Sequence, residues 1–240
     1  MIRIVRGRSR GLALVFCLSL AGLGAPVSDP AGFPFTSETL DYTVTWPSGL
    51  ALGEAHMTAA RSKSPEQWTF NLALDAAVPG FAVTDRYQAT ASLDLCSVTF
   101  ERDFTHGSRK SHERLDLDQH EGVAHRETVG GGRSDVSISQ CARDALTFLY
   151  FARQELGQGR VPPQGNILFG GAYHVRLDYT GAQTVRVNGK NFETDRVVAT
   201  LKGPASEISF EMFFARDAAR TPVLIRVPLS LGTFSMELAR

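Results

Sequence analysis

The sequence predicts a mainly β fold, a strongly curved antiparallel sheet or β-barrel-like single domain, with one principal helix at about residues 142–156. Three observations lead there. Long stretches alternate apolar and polar residues with period two, as half-buried strands do. Turn signals such as Asn188-Gly189 separate these stretches. One segment, CARDALTFLYFARQEL (141–156), is spaced as a helix and is apolar almost all the way round.

The amino terminus comes first. Residues 1–25 carry Arg3, Arg6, Arg8 and Arg10, no acid, and the apolar run Leu12 to Leu20. That run is shorter than the roughly 20 residues that span a bilayer, so the segment reads as a secretory signal. Ser19-x-Ala21 and Gly22-x-Gly24 both fit the small-residue cleavage rule. Cys17 lies inside the apolar run, whereas a lipoprotein anchor needs a cysteine just after it. The expected product is periplasmic or secreted, has no integral membrane span, and forms a single β-rich domain over residues 37–240. Removing the four arginines leaves 21 bases against 25 acids, a net charge of −4. No concentrated basic patch calls for a nucleic acid partner.

In the strand region, Leu40, Tyr42, Val44 and Trp46 share one face, and Thr39, Asp41, Thr43 and Thr45 the other. Pro47-Ser48-Gly49 turns the chain into Ala51 to Ala60, and Trp68 to Leu74 continues in the same style. Phe81 to Leu95 leads through Val98 and Phe100 to a hairpin at His106-Gly107-Ser108, whose second arm is Arg109 to Leu117 with a charged, wet side. Val123 to Thr128 follows a turn at Glu121-Gly122. Val129-Gly-Gly-Gly-Arg133 reads as a loop. After the helix, Gly157, Gly159 and Pro162-Pro163 prevent its continuation. Tyr173 to Tyr179, the hairpin about Asn188-Gly189, the stripe Ile208, Phe210, Met212 and Phe214, and the pair Pro222 to Leu229 and Thr233 to Leu238 complete about a dozen strands.

In the helix, at about 100° per residue, Ala145, Leu149, Ala152 and Leu156 form one stripe. Phe148 and Phe151 flank it on one side, Leu146 and Tyr150 on the other. Thr147, Gln154 and Arg143 fall on a narrow polar strip. Such a helix is expected to be covered on more than one side, inside the curve of the sheet, with Asp144 capping its start. Leu146, Phe148, Leu149 and Phe151 are therefore the candidates either to complete the core or to line an apolar cavity.

Two cysteines remain after processing, Cys96 and Cys141. Export to an oxidising compartment makes a disulfide the natural pairing, with a metal pair or a reactive thiol as the alternatives. In the chain-entropy model it restricts the unfolded state by about 4 kcal/mol.

Chemistry is sparse. His106, His112, His120 and His125 cluster around hairpin ends without diagnostic metal spacing, and no metal site or cofactor is expected from them. His56 and His174 are expected to be partly buried and hydrogen-bonded. The carboxylate pairs Asp116/Asp118 and Asp41/Glu54 have no separation that sequence can fix. There is no G-x-S-x-G, S-x-x-K or H-E-x-x-H constellation, and no catalytic residue is assigned.

Four segments carry a family resemblance: ETLDYTVTWPSGLALGEA (38–55), HGSRKSHERLDLD (106–118), DALTFLYFAR (144–153) and FARDAARTPVLIRVPLSLGTFSMEL (214–238). Together they resemble the exported bacterial proteins of domain of unknown function 3108. The resemblance spans nearly the whole mature chain and implies an exported β-rich domain, with no activity or catalytic residues to carry over. It departs at Phe213-Phe214, where family members often have tryptophan. At the level of fold, the family's curved sheet is similar to lipoprotein carriers of the bacterial envelope.

The leading expectation is a non-catalytic envelope protein that holds an apolar or amphiphilic, lipid-like ligand between sheet and helix. The alternatives are a structural or protein-interaction module of the envelope, with a solid core and the charged hairpin Arg102 to Arg114 as its working surface, and an uncharacterised hydrolase.

Overall fold

A computed structural model describes residues 37–239 apart from 64, 79, 205 and 231; residues 1–25, expected to be a signal segment, lie outside the described residues. Among the described residues, fifteen strands and one helix follow one another. The first eight strands are β1 (Ser37–Thr45), β2 (Ala51–Lys63), β3 (Glu66–Val78), β4 (Phe81–Ala91), β5 (Ser97–His106), β6 (Arg109–Asp118), β7 (Val123–Thr128) and β8 (Gly132–Ser137). The short β9 (Arg143–Asp144) leads into α1 (Ala145–Gly157). Then come β10 (Gly165–Leu168), β11 (Ala172–Val187), β12 (Lys190–Lys202), β13 (Glu207–Ala215), β14 (Pro222–Leu229) and β15 (Gly232–Leu238).

The strands form one sheet in the order β8 to β1, then β15 back to β9. Every neighbouring pair is antiparallel except β9–β10. This is a meander whose ends meet because β1 pairs with β15, with Tyr42 opposite Leu238. The only break in the cycle falls between β8 and β9, which are consecutive in the chain. A sheet with this many strands curls, since each strand is twisted relative to its neighbour. The result is barrel-like, with a seam where no ladder closes it.

The seam is tied at one end. Cys96 and Cys141 are joined in a disulfide across it. Beside the disulfide, the Ser97 N–H donates to the Ala142 carbonyl at 3.0 Å. Gln119, in the β6–β7 turn, donates to the carbonyls of Ser97 (2.6 Å) and Ala142 (3.0 Å) and accepts from the Ala142 N–H. Strands β6 and β7 continue past the seam, and their Leu115, Leu117 and Ala124 share one buried cluster with Ala142 and Leu168.

The helix plugs the same end. Its N-cap, Asp144, is wholly buried and accepts from the backbone N–H groups of Leu146 and Thr147, the Thr147 hydroxyl and the Ser97 hydroxyl. Residues 142–144, expected to be helical, are extended instead, because Arg143 and Asp144 pair with Ile167 and Leu168 of β10. Two buried clusters grip the helix from different sides. Leu146 and Tyr150 belong to the first, in which Tyr150 stacks on Phe70 with ring centroids 4.1 Å apart. Ala152 and Leu156 belong to the second, with Val175, Leu177, Val197, Met212 and Phe214.

The helix is thus covered on more than one side, but its faces are disposed differently from expectation. Thr147, assigned to the polar strip, is wholly buried because its hydroxyl bonds to Asp144. Arg153 is also buried, held by Glu38 and the Ala219 carbonyl. The stripe residues Ala145 and Leu149 are only half-buried.

Other differences are local. Residues 132–133 are not part of a loop but begin β8, in a tight β7–β8 hairpin where Thr128 faces Gly132. The Asn188-Gly189 turn is as expected, with φ of 47° and 79° at its two central residues. The tip of that hairpin folds over the outer face of the sheet. There Val185, Val187, Phe213 and Leu224 make a small third cluster.

Candidate functional site

Burial falls along the inward-facing residues of β3, β4, β12 and β13 from the helix end of the barrel to the other, whereas Tyr42 and Val44 on β1 and Ala55, Met57 and Ala59 on β2 stay buried. On β3, Trp68 and Phe70 are buried, while Leu72, Leu74 and Ala76 are half-exposed. On β4, Ala91 and Ala89 are buried and Tyr87 is not fully. The same decline runs from Val197 and Ala199 to Leu201 on β12, and from Phe214 and Met212 to Phe210 on β13. Strand β1 ends in the half-buried Trp46, which meets Phe234 edge to face at 4.9 Å. Period-two alternation supplies apolar residues along the full length of each strand, but one helix is too short to cover all of them. The uncovered remainder is an apolar cup whose floor is α1.

Of the four predicted lining residues, Leu146 is buried in the first cluster and belongs to the core. Leu149 packs against both main clusters and stays half-exposed. Phe148 packs against the second and Phe151 against the first, their rings 6.2 Å apart. Phe151 lies under the Arg143 guanidinium, 3.7 Å from its ring centroid. Burial pulls the Arg143 pKa below its ordinary value.

Sequence reasoning missed the polar wall of the cup. Leu40, Met57, Leu72, Tyr87, Arg102 and Glu113 are successive register partners across β1 to β6. This row passes from aliphatic through aromatic to charged side chains. Glu113 is buried, at 1% exposure, and accepts from Arg126 Nη2 at 2.6 Å and Nε at 3.0 Å. Arg102 lies between the rings of Phe104 and Phe169, 5.2 Å from each centroid. It also rests on Gly170, where a Cβ would come within 2.5 Å of Nη2 and displace the guanidinium from its present position. Phe169 reaches across the seam to Tyr87 (5.4 Å) and Phe100 (6.2 Å). These contacts close the seam above the disulfide by packing. Burial, and then the charge of Asp85, push the Tyr87 pKa up, so the phenol stays neutral. The pattern HGSRKSHERLD advertised charge, but not that Arg102 and Glu113 face inward while Arg114 faces out.

On the outer face, Arg114 pairs with Glu101 and Asp116 at 2.8 Å each, so that part of the charged hairpin is neutralised within the sheet. His106, His112, His120 and His125 each lie beside a carboxylate, of Asp85, Asp103, Glu121 and Asp135. Among the described residues no three His, Cys, Asp or Glu side chains gather as a metal site. His56 and His174, expected to be partly buried, are exposed; His56 bonds to Asp41 at 2.7 Å. No helix of the described residues is long and apolar enough to cross a membrane.

This architecture is similar to that of a β-barrel-like protein of domain of unknown function 1849 from Brucella abortus, solved by crystallography. The two share 10% sequence identity and a TM-score of 0.58, over 85% of this chain and 95% of the other. The likeness is one of fold. No curated protein matches the chain. The family model for a protein of unknown function, DUF3108, matches residues 41–239, and the chain belongs to that family.

Proposed function

We propose that the protein binds an apolar or amphiphilic, lipid-like ligand in the cup above α1, without chemistry, as an exported component of the cell envelope. The decline in burial along β3, β4, β12 and β13 supports this reading. A barrel of this size that served only as a scaffold would gain about 25 cal/mol for each further Å² of apolar surface covered, yet the residues from Leu72 to Ala76 remain partly open. The signal-like segment at residues 1–25 supports export.

The test is to extract the purified protein with organic solvent, identify what is released by mass spectrometry, and titrate the emptied protein with Nile red. Release of a stoichiometric amphiphile, and dye fluorescence that Leu74→Glu abolishes, are expected. An empty extract together with no dye binding would overturn the reading.

A further inference from the structure

We propose that Arg102 is the headgroup-recognition residue of the cup, and that the ligand is a single-chain amphiphile ending in a carboxylate-like monoanion. This rests on the cup being a ligand site.

Arg102 is a mostly buried cation, at 18% side-chain exposure, with little holding its charge. It makes no hydrogen bond to the described residues, and its Nε is buried without an acceptor. Its closest acid contact is Glu113 Oε2, 3.8 Å from Nη2. That oxygen already takes both of the Arg126 hydrogen bonds. Two guanidiniums thus face one carboxylate, and the wall carries one unbalanced positive charge. Arg109, 5.7 Å from the Phe104 ring centroid, adds to the positive field, and the nearby Asp85 is engaged by His106 at 2.8 Å.

Burying donors without acceptors is unfavourable, and a guanidinium fork matches the two oxygens of a carboxylate. Phe104, Phe169 and Gly170 fix the orientation of the fork in advance, so little side-chain entropy is lost when an anion arrives. The register row supplies the rest of the molecule. From Arg102 it runs through Tyr87 to the half-exposed Leu72, beyond which Met57 and Leu40 are buried in the core, while Leu74 and Ala76 continue the open apolar face along β3, so a chain lying there has its head at the cation and its tail over β3. A monoanion balances the excess charge; a dianion reverses it. A cationic head would instead select the second Glu113 oxygen, Oε1, which is buried without a partner.

The experiment measures displacement of Nile red by oleate, oleyl alcohol, oleyl phosphate and oleylamine from the wild type, R102Q and R102K. Oleate is expected to bind the wild type about tenfold or more tighter than the alcohol, a difference typical of one charge-assisted contact, and tighter than the phosphate and the amine. R102Q should bring the ratio of oleate to alcohol affinity close to one, with circular dichroism checking that the variant is folded. R102K, which keeps the charge but loses the fork and its stacking, should retain only part of the preference. Equal binding of oleate and alcohol by the wild type, or a preference for the phosphate or the amine, overturns the headgroup assignment and leaves the cup standing. An oleate preference that survives in R102Q overturns the role of Arg102. If none of the four displaces the dye, the cup reading falls and this inference with it.

Discussion

Arg153 Nη1 and Nη2 each donate to one carboxylate oxygen of Glu38, both at 2.7 Å, joining the middle of α1 to the first strand of the sheet. The guanidinium is wholly buried and Glu38 is 11% exposed. Burial acts to lower the Arg153 pKa, but the hydrogen bonds and charge of Glu38 outweigh it and leave the group raised. Removing one partner strands the other in the interior. Arg153→Met is therefore expected to lose about 3–5 kcal/mol of unfolding free energy, and Glu38→Gln a comparable amount. Urea unfolding measures both; a loss below about 1 kcal/mol for either would mean that water reaches the pair.

The disulfide and the Ser97–Asp144 bonds tie the same end of the seam. Replacing Cys96 and Cys141 with serine is expected to cost about 2–5 kcal/mol. The fold should persist, because Gln119 and Ser97 still bridge the seam. Amide exchange should accelerate at Ala142 and at Arg143 and Asp144 in β9, and remain slow in the β2–β3 ladder. Uniform acceleration throughout the sheet would show that the cross-link supports the whole barrel.

Asp144 gives the acid dependence. Burial raises its pKa in the folded chain, against the opposing bonds from Ser97, Thr147 and Leu146. The folded protein therefore takes up this proton at a higher pH than the unfolded chain, whose value is about 3.9. The group's contribution to stability is present in full below about 3.9 and is lost as pH rises through the raised native value. Asp144→Asn keeps an N-cap acceptor and removes the charge. Wild type should accordingly gain on the Asn variant as pH falls from about 7 to about 4.5, in paired denaturant titrations. A gap moving the other way would reverse the sign assigned to burial.

The cup and the core should respond differently to truncation. Phe70→Ala, at the buried end of β3 where the ring stacks on Tyr150, is expected to cost about 3–5 kcal/mol. Leu74→Ala, four residues further along the same face, should cost less than about 2 kcal/mol, since less of that side chain leaves water on folding. Equal losses in equilibrium unfolding would mean that the barrel is packed shut.

How much of this was legible in the sequence follows from which contacts are local. The alternation from Leu40 to Trp46, the Asn188-Gly189 turn and the Asp144 cap depend on neighbours a few residues away, and each could be read directly. β8 and β10 could not. GRSDVS and GNIL have little pattern of their own and become strands only because β7 and β11 offer partners. Thr147 was placed on the polar strip although its hydroxyl is spent on Asp144, and the burial of Arg153 could not be read because its partners come from β1 and the β13–β14 loop. The wall of Arg102, Glu113 and Arg126 was hidden for the same reason. Charged residues in a hairpin read as solvated until register shows which of them face inward.

The pairing of β1 with β15 has a consequence for biogenesis. Tyr42 cannot meet Leu238 until the fifteenth strand has been synthesised, so the loop-closure entropy for this ladder is spent at the end of chain growth. A nascent chain can form successive hairpins, but the ring they belong to stays unclosed. Until β15 joins, β1 remains an open edge with bare N–H and C=O groups, the kind of template a chaperone holding the lengthening polypeptide would occupy.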